Sequence, residues 1–344
     1  MAAKTQQRIE KLIRILSDGQ FHSGEEIAGA LDISRTAVWK LIKKIELWGI
    51  KVFSVRGRGY QISKGLELLD REYILSQINS FKVINKIEVL TSIGSTSDYI
   101  AKHWKNSFQG AQVCIAEHQS AGRGRKGQRW ISPFAANLYF SLGIQLPLGL
   151  NSLGGISIAM GILLCRVIRS VSNSDVEVKW PNDLLMDGKK VAGILVEASG
   201  DNHDNSFLNI GIGINWNMKA EQGDNIDQPW ANLKNSLKDT MSKDAFILRL
   251  LMEMDQFLIH YTLNNKIDPV ESLAYQKVQA DIIKEWANYS AYYNQAVIIH
   301  LGKKMIEGKE VGISSNGALR LMTNKGEKLF HSGEVSLRAK GGIK

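Results

Sequence analysis

A chain of 344 residues is long for one hydrophobic core, and its composition, 44% hydrophobic and 22% charged with 5 prolines, excludes a disordered or fibrous protein. The net charge of +9 is uneven, with twelve basic against six acidic side chains in residues 1–64 and nine against four in 291–344, so the N-terminal segment is expected to meet a polyanion. Cys114 and Cys165 stand far apart in apolar runs, which argues against a disulfide framework or zinc set; with no signal-peptide apolar region and no run near the roughly 20 residues of a membrane span, a cytoplasmic protein without a membrane partner is expected.

Ile9, Leu12, Ile13 and Leu16 recur at helical spacing and stop at Ser17, Asp18 and Gly19. Ser23 with Glu26 is a capping-box pattern for a short second helix, and Ser34 caps a third. In that third helix Val38, Leu41, Ile42 and Ile45 form the buried stripe, leaving Arg35, Thr36, Trp39, Lys40 and Lys43 outward. Residues 51–63 alternate, turn at RGRG and return, a hairpin tipped by Arg56 and Arg58. Three helices and a basic-tipped hairpin predict a winged helix-turn-helix. Its third helix would enter a major groove with Arg35, Thr36 and Trp39, while Lys40, Lys43, Arg56 and Arg58 contact phosphates. A protein-interaction module is the alternative.

LELLDREYILSQI predicts a helix and KIEVL a strand, followed by a loop and a helix with Ser95, Thr96 and Ser97 at its start. Those hydroxyls either cap the helix or face a small polar ligand. AQVCIAEH is a buried strand delivering the chain to HQSAGRGRKGQRW, in which Gly122, Gly124 and Gly127 sit among Arg123, Arg125, Lys126 and Arg129. Glycines let backbone N–H groups crowd an anion and the cations neutralise it, although a plain basic surface loop has the same composition. A dinucleotide fold is excluded because QRWISP, not a helix, follows; a Walker A loop is excluded because Gln128 and Arg129 follow Gly127.

NLYFSLGIQ predicts an alternating strand and Leu153–Val171 a central helix. VEVKWPNDLLMDGKKVAGILVEASG sets Lys179, Trp180, Asn182 and Asp183 between two strands, with Lys190 and Gly193 opening the second. FLNIGIGINWN adds a strand that brings Asn215 to the same end of the sheet. Helices are expected over 243–263 and 269–287, as packing. The short strands AVIIHL, KKMIEGKEVGI, GALRLM, EKLFHS and EVSLR have the pattern of a small SH3-like barrel.

GRGRKGQRW, KWPNDLL and KKVAGILVE resemble the signature segments of the biotin protein ligase family, and with the winged helix in front the chain is similar to the bifunctional biotin ligase and biotin operon repressor. The resemblance implies an α+β multidomain protein: a winged helix-turn-helix over 1–64, a mixed α/β, class II synthetase-like ligase domain over 65–288, and an SH3-like domain over 289–344. It implies ATP-dependent formation of biotinyl-5'-AMP, transfer of biotin to a lysine of the biotin carboxyl carrier protein of acetyl-CoA carboxylase, magnesium brought with ATP and no protein-only metal site. Repression at operator DNA by an adenylate-bound homodimer goes with it. Carried over by motif, Ser95, Thr96, Ser97, Gln119, Arg123, Gly124 and Arg125 contact biotin or adenylate, with Lys190 and Arg125 catalytic. Lys179, Asp183, Asn215 and Arg338 support ATP and magnesium. Ser97 stands where the repressor-type ligase carries Asn. A winged-helix regulator without turnover and a lipoate or octanoate ligase are the alternatives.

Overall fold

The computed structural model describes residues 3–63, 66–103, 110–202, 205–262, 272–302, 304–331 and 335–339. Helices α1 (Ala3–Leu16), α2 (Gly24–Leu31) and α3 (Arg35–Glu46) precede the hairpin β1 (Val52–Val55) and β2 (Gly59–Ile62). Ile9, Leu12, Ile13 and Leu16 meet Val38, Ile42 and Ile45 in one buried cluster, as the helical spacing predicts. Ser23 Oγ accepts from the Glu26 N–H at 3.1 Å and Ser34 Oγ from the Ala37 N–H at 3.2 Å. The reciprocal half of the capping box is diverted: the Glu26 carboxylate lies 2.8 Å from His22 Nδ1, and this bond raises the histidine above its ordinary pKa. His22 in turn pairs its backbone with Tyr60, tying the hairpin to the helices.

The central body holds α4 (Arg71–Ser76), β3 (Ile84–Leu90), α5 (Thr96–His103), β4 (Ala111–Ala116), β5 (Leu138–Leu146), α6 (Ile156–Val171), β6 (Val176–Lys179), β7 (Asp183–Met186), β8 (Lys189–Gly200), β9 (Ser206–Ile214), α7 (Lys243–Thr262) and α8 (Ser272–Tyr289). Among the described residues its sheet has seven strands in the order β3-β4-β5-β9-β8-β7-β6, of which only β3 and β4 pair in parallel. β5 is buried along both faces, not alternately, because it lies inside the sheet and is covered on both sides. The α6 segment is apolar enough to pass for a membrane span, but Leu164, Cys165 and Ile168 are wholly buried in the core.

Three expectations are corrected. The helix over LELLDREYILSQI is confined to α4, because Leu69 and Asp70 spend their backbone donors on the central body: the Leu69 N–H on Glu117 and the Asp70 N–H on Asp244 Oδ1 at 2.9 Å. Asp70 then caps α4 through the Tyr73 N–H. KWPND does lie between two strands, Lys179 ending β6 and Asp183 opening β7 opposite it, but β7 is a strand not expected, so Lys190 and Gly193 open the strand after it, β8. The central helix begins at Ile156, after a 3-10 turn. Leu263 and Pro269, the expected helix ends, lie outside the described residues.

Strands β10 (Ala296–Leu301), β11 (Lys304–Ile313), β12 (Leu319–Thr323), β13 (Gly326–Phe330) and β14 (Val335–Ala339) form an antiparallel sheet in the order β13-β12-β11-β10-β14. Among the described residues no pairing joins the end strands, so barrel closure rests on the resemblance alone. The sheet shares the central core through Val297, Ile299 and Leu319, and Trp180 Nε1 donates to the Gly317 carbonyl at 3.1 Å. At this junction Glu310 is fully buried; Oε1 accepts from Trp286 Nε1 at 2.9 Å and from Ser290 Oγ, while Oε2 has no partner among the described residues.

Burial pushes the Glu310 carboxyl up, against those two hydrogen bonds. With a raised folded pKa, its stabilising contribution is complete below the ordinary glutamate pKa and is lost as pH rises through the folded value. Glu310→Gln, which keeps the acceptor and removes the charge, is expected to flatten the stability loss between about pH 5 and 8 and to gain about 1 kcal/mol at the upper end. Thermal melts at both pH values check this, and a variant less stable than the parent at pH 8 contradicts it.

Candidate active site

Ser95, Thr96 and Ser97 lie where β3 hands the chain to α5, all nearly buried. Ser95 does the capping, its Oγ accepting from the Asp98 N–H at 3.4 Å. Thr96 donates from its N–H and hydroxyl to Gln119 Oε1 at 2.9 and 3.1 Å. Thr96 and Ser97 each share a hydrogen bond with Ser141 Oγ of β5, at 2.8 and 3.0 Å, and Gln119 Nε2 donates to Ser132 Oγ at 3.1 Å. Three of the sequence-predicted residues, Thr96, Ser97 and Gln119, thus form one polar cluster, with Ser95 next to it on the chain. Ser141 and Ser132 were not legible as members, since each sits in an otherwise ordinary strand or loop.

Beside this cluster the sheet is bare. Gly193 of β8 lies directly opposite Gly213 of β9, and Trp130, at the end of the glycine-rich loop, lies across both. A Cβ at Gly193 would come 2.9 Å from the indole, and one at Gly213 would collide with it. The pair therefore makes a flat apolar floor under an aromatic roof. The Trp130 Nε1 atom is buried there without a hydrogen-bond partner among the described residues.

The cations gather at one edge of this floor. Lys190 Nζ lies 2.8 Å from Asp183 Oδ1 and 5.3 Å from the centre of the Trp130 ring. Asn215 Nδ2 donates to the Lys190 carbonyl at 3.1 Å, and the Lys190 and Ala231 backbones pair with Pro229 and Lys190 around Trp230. Burial lowers the Lys179 pKa; Asp183 opposes that shift, while the charges of Lys190 and Arg338 add to it. Arg338, from β14, is thereby placed within electrostatic reach of the same edge. Arg125 Nη1 donates to Asn182 Oδ1 at 3.0 Å, and burial lowers its pKa against the pull of Asp183. Arg123 turns the other way, to Asp98 Oδ1 at 2.6 Å and Glu197 Oε1 at 3.0 Å. Gly124 is occupied inside the loop, its N–H donating to the Gln128 carbonyl at 2.7 Å.

This edge can hold a polyanion against Lys190, Lys179, Arg125 and Arg338, and the floor on which the Trp130 indole rests has no side chain of its own. Among the described residues no three His, Cys, Asp or Glu side chains are grouped to hold a metal ion. Asp183 is the carboxylate beside the cations, and it would face a magnesium ion arriving on nucleotide phosphates.

The winged helix presents Arg35, Thr36, Trp39, Lys40, Lys43, Arg56 and Arg58 to solvent. Trp39 is half exposed with Lys43 Nζ 6.0 Å above it, Arg35 pairs with Glu25 at 2.8 Å, and Arg58 stacks on Phe21 at 4.5 Å. Just past α3, Trp48 is stacked between His118 at 5.9 Å and Phe134 at 5.7 Å, the residues that flank the glycine-rich loop on either side. Burial, with Arg129 nearby, lowers the His118 pKa to about 4.

Residues 89–215 match the model of the biotin/lipoate A/B protein ligase family, residues 8–61 an HTH domain, and residues 292–338 the biotin protein ligase C-terminal domain. The chain is 35% identical to the bifunctional ligase/repressor BirA of Salmonella typhimurium over 95% of its own length and 97% of the relative's. It is equally identical to that of Escherichia coli K12, over 96% and 97%. Among solved structures, the biotin protein ligase from Aquifex aeolicus in complex with biotin and ATP aligns with 74% of this chain and 99% of its own, at 27% identity and a TM-score of 0.57. With that identity over nearly both full lengths, the chain belongs to the biotin protein ligase family, among its bifunctional ligase/repressors.

Proposed function

We infer that the chain activates biotin with ATP to biotinyl-5'-AMP, transfers biotin to a lysine of the biotin carboxyl carrier protein, and represses transcription in response to the adenylate. In the first step a biotin carboxylate oxygen bonds to the ATP α-phosphorus and pyrophosphate leaves; in the second the acceptor amine attacks the acyl carbon, AMP leaves and the amine loses its proton. The observation that carries the reading is the glycine floor of Gly193 and Gly213, roofed by Trp130 and ending at Lys190. The floor carries no side chain of its own, so a flat bicycle would lie on it once the Trp130 indole, which now rests on both glycines, moves aside, and a carboxylate at the end of its chain would fall beside the cations.

Lys190 and Arg125 are read as the groups that meet the charge growing on the α-phosphate, where preorganised donors contribute most. Thr96, Ser97 and Gln119 are read as the donors and acceptors for the ureido head, exchanging their present partners for it. Lys179, Asp183, Asn215 and Arg338 would support the nucleotide. Magnesium on the ATP phosphates supplies further neutralisation of that charge. Incubation with ATP, magnesium and, separately, biotin, lipoate or octanoate, followed by mass detection of the acyl adenylate, tests the reading. A lipoyl or octanoyl adenylate in place of the biotinyl one overturns it, and no adenylate at all favours a regulator without turnover.

The domains are taken as 1–64 for DNA, 65–288 for chemistry and 289–344 as a cap over the nucleotide edge, in a cytoplasmic protein that dimerises when the adenylate is bound. Repression then requires phosphate contacts from the wing. Arg56→Ala is expected to weaken operator binding about equally across sequences and to reduce the slope of log K against log salt by about 1. Titrations at several salt concentrations check it, and an unchanged slope removes Arg56 from the DNA contact set.

A further inference from the structure

His22 is held in a way that a neutral imidazole cannot be. Its Nδ1 lies 2.8 Å from Glu26 Oε1 and its Nε2 3.1 Å from Asp18 Oδ2. Both partners are carboxylates, which accept and do not donate, so the two contacts are both hydrogen bonds only when both ring nitrogens carry protons. With one proton gone, a ring lone pair faces a carboxylate, and the turn between α1 and α2 is left with two uncompensated negative charges. The Glu26 bond raises the pKa of the ring most, burial opposes it, and the Asp18 bond adds to the rise.

That turn is where the wing is attached. His22 and Tyr60 of β2 exchange both backbone hydrogen bonds at 2.9 Å. Gln61 Nε2 donates to the Gly19 carbonyl, and Arg58 lies over the Phe21 ring at 4.5 Å. The two segments approach so closely that a Cβ at Gly59 would collide with the His22 carbonyl. The hairpin therefore grips residues 19–22, and the imidazolium, bonded to Asp18 on one side and to Glu26 of α2 on the other, fixes those residues against the helices. Cations on the flanking helices have contacts of their own, Arg14 of α1 with Glu10 at 3.4 Å and Arg35 of α3 with Glu25 at 2.8 Å. His22 is the one histidine in residues 1–64.

We propose that His22 is a pH-sensitive latch for the wing: as an imidazolium bonded to Asp18 and Glu26 it holds the hairpin where Arg56 and Arg58 reach DNA phosphates together with α3, and its deprotonation loosens that grip. Because the folded pKa is raised, the contribution of the latch is complete below the ordinary histidine pKa and is lost as pH rises through the folded value. Operator affinity falls over the same interval, since the two bare carboxylates also repel phosphates. The DNA half of this rests on the reading of residues 1–64 given above, and the latch itself does not.

Two readouts on the full-length protein separate these halves. Without DNA, the ring resonances of histidine-labelled protein give the His22 midpoint, and hydrogen exchange gives the protection of the Tyr60 amide, corrected for the ordinary rise of exchange with pH. The midpoint is expected above the ordinary value of about 6.5 and lower in Glu26→Gln, with Tyr60 protection dropping about threefold to tenfold across it. With operator DNA at constant ionic strength, affinity is expected to drop by about the same factor between about pH 6 and pH 8.5. His22→Gln should bind weakly at both ends of that range, and His22→Arg, which keeps a charge and several donors, tightly at both. A midpoint at or below the ordinary value, or Tyr60 protection that does not follow it, overturns the latch. Operator affinities with one and the same pH dependence in the parent and both His22 variants overturn its role in DNA binding. If the parent binds no operator at any pH, the DNA reading falls, and the midpoint and exchange data still decide the latch.

Discussion

Lys190→Ala is expected to lower the rate of adenylate synthesis by about a hundred- to a thousandfold, the cost of removing one preorganised donor from developing oxyanion charge. The fold should survive. Lys190 is only partly buried, at 16% side-chain exposure, and its ion-pair partner Asp183 is similarly placed at 18%. Its backbone bonds, to Pro229, Ala231 and Asn215, do not depend on the side chain. Removing the ammonium leaves Asp183 beside Lys179, whose charge is near enough to be felt, so the carboxylate is not stranded. A melting temperature within a few degrees of the parent is therefore expected together with the large rate loss. Pyrophosphate release with biotin and ATP measures the rate. Lys190→Arg should not rescue it, because the wider planar guanidinium cannot occupy the point-charge position 5.3 Å over the Trp130 ring. Parent-like rates in the alanine variant would remove Lys190 from the chemistry.

What the sequence made legible follows from which forces are local. Helix caps at Ser23 and Ser34, the stripe through Val38, Ile42 and Ile45, and the wing turn depend on neighbours within four residues or on a two-residue period, and they stand as read. The polar cluster was legible as far as motifs reached: Thr96, Ser97 and Gln119 share one hydrogen-bonded group through Ser141, and Lys190 lies apart from it, against Trp130 and Asp183. What was not legible depends on cross-strand register. Nothing in NLYFSLGIQ distinguishes Ser141 until β5 is set opposite β9 with Ser141 beside Gly211, and nothing in ILVEASG marks Glu197 as the partner of a loop 74 residues earlier. The segment 66–70 was misread as helical for the same reason, Leu69 and Asp70 being recruited by Glu117 and Asp244 from distant elements.

Those distant elements make the second large effect a matter of stability. Lys243→Met is expected to destabilise the protein by about 3–5 kcal/mol, as loss of one partner from a buried ion pair does. Lys243 and Glu117 are 1% and 6% exposed, with Nζ 2.9 Å from Oε2. The lysine also donates to the Ala135 carbonyl at 3.2 Å, and Glu117 accepts the Leu69 N–H. Lys243 opens α7, where a positive charge is opposed by the helix macrodipole, so the placement depends on Glu117. Without the ammonium, the carboxylate keeps one backbone donor and loses the charge that offsets its desolvation.

The same spot joins the domains, because Leu69 lies just after the winged helix and Ala135 follows Phe134, against which Trp48 of the winged helix stacks. The loss should therefore appear first as undocking of the winged helix, read as a change in tryptophan fluorescence below the main melting transition. If the chain unfolds as one unit, the shift in that transition is about 4–7 °C. Adding Glu117→Gln to Lys243→Met removes the stranded charge while keeping an acceptor for the Leu69 N–H, and should recover most of the stability. A double variant no more stable than the single one would mean that packing of the lysine stem, and not its charge, holds this junction.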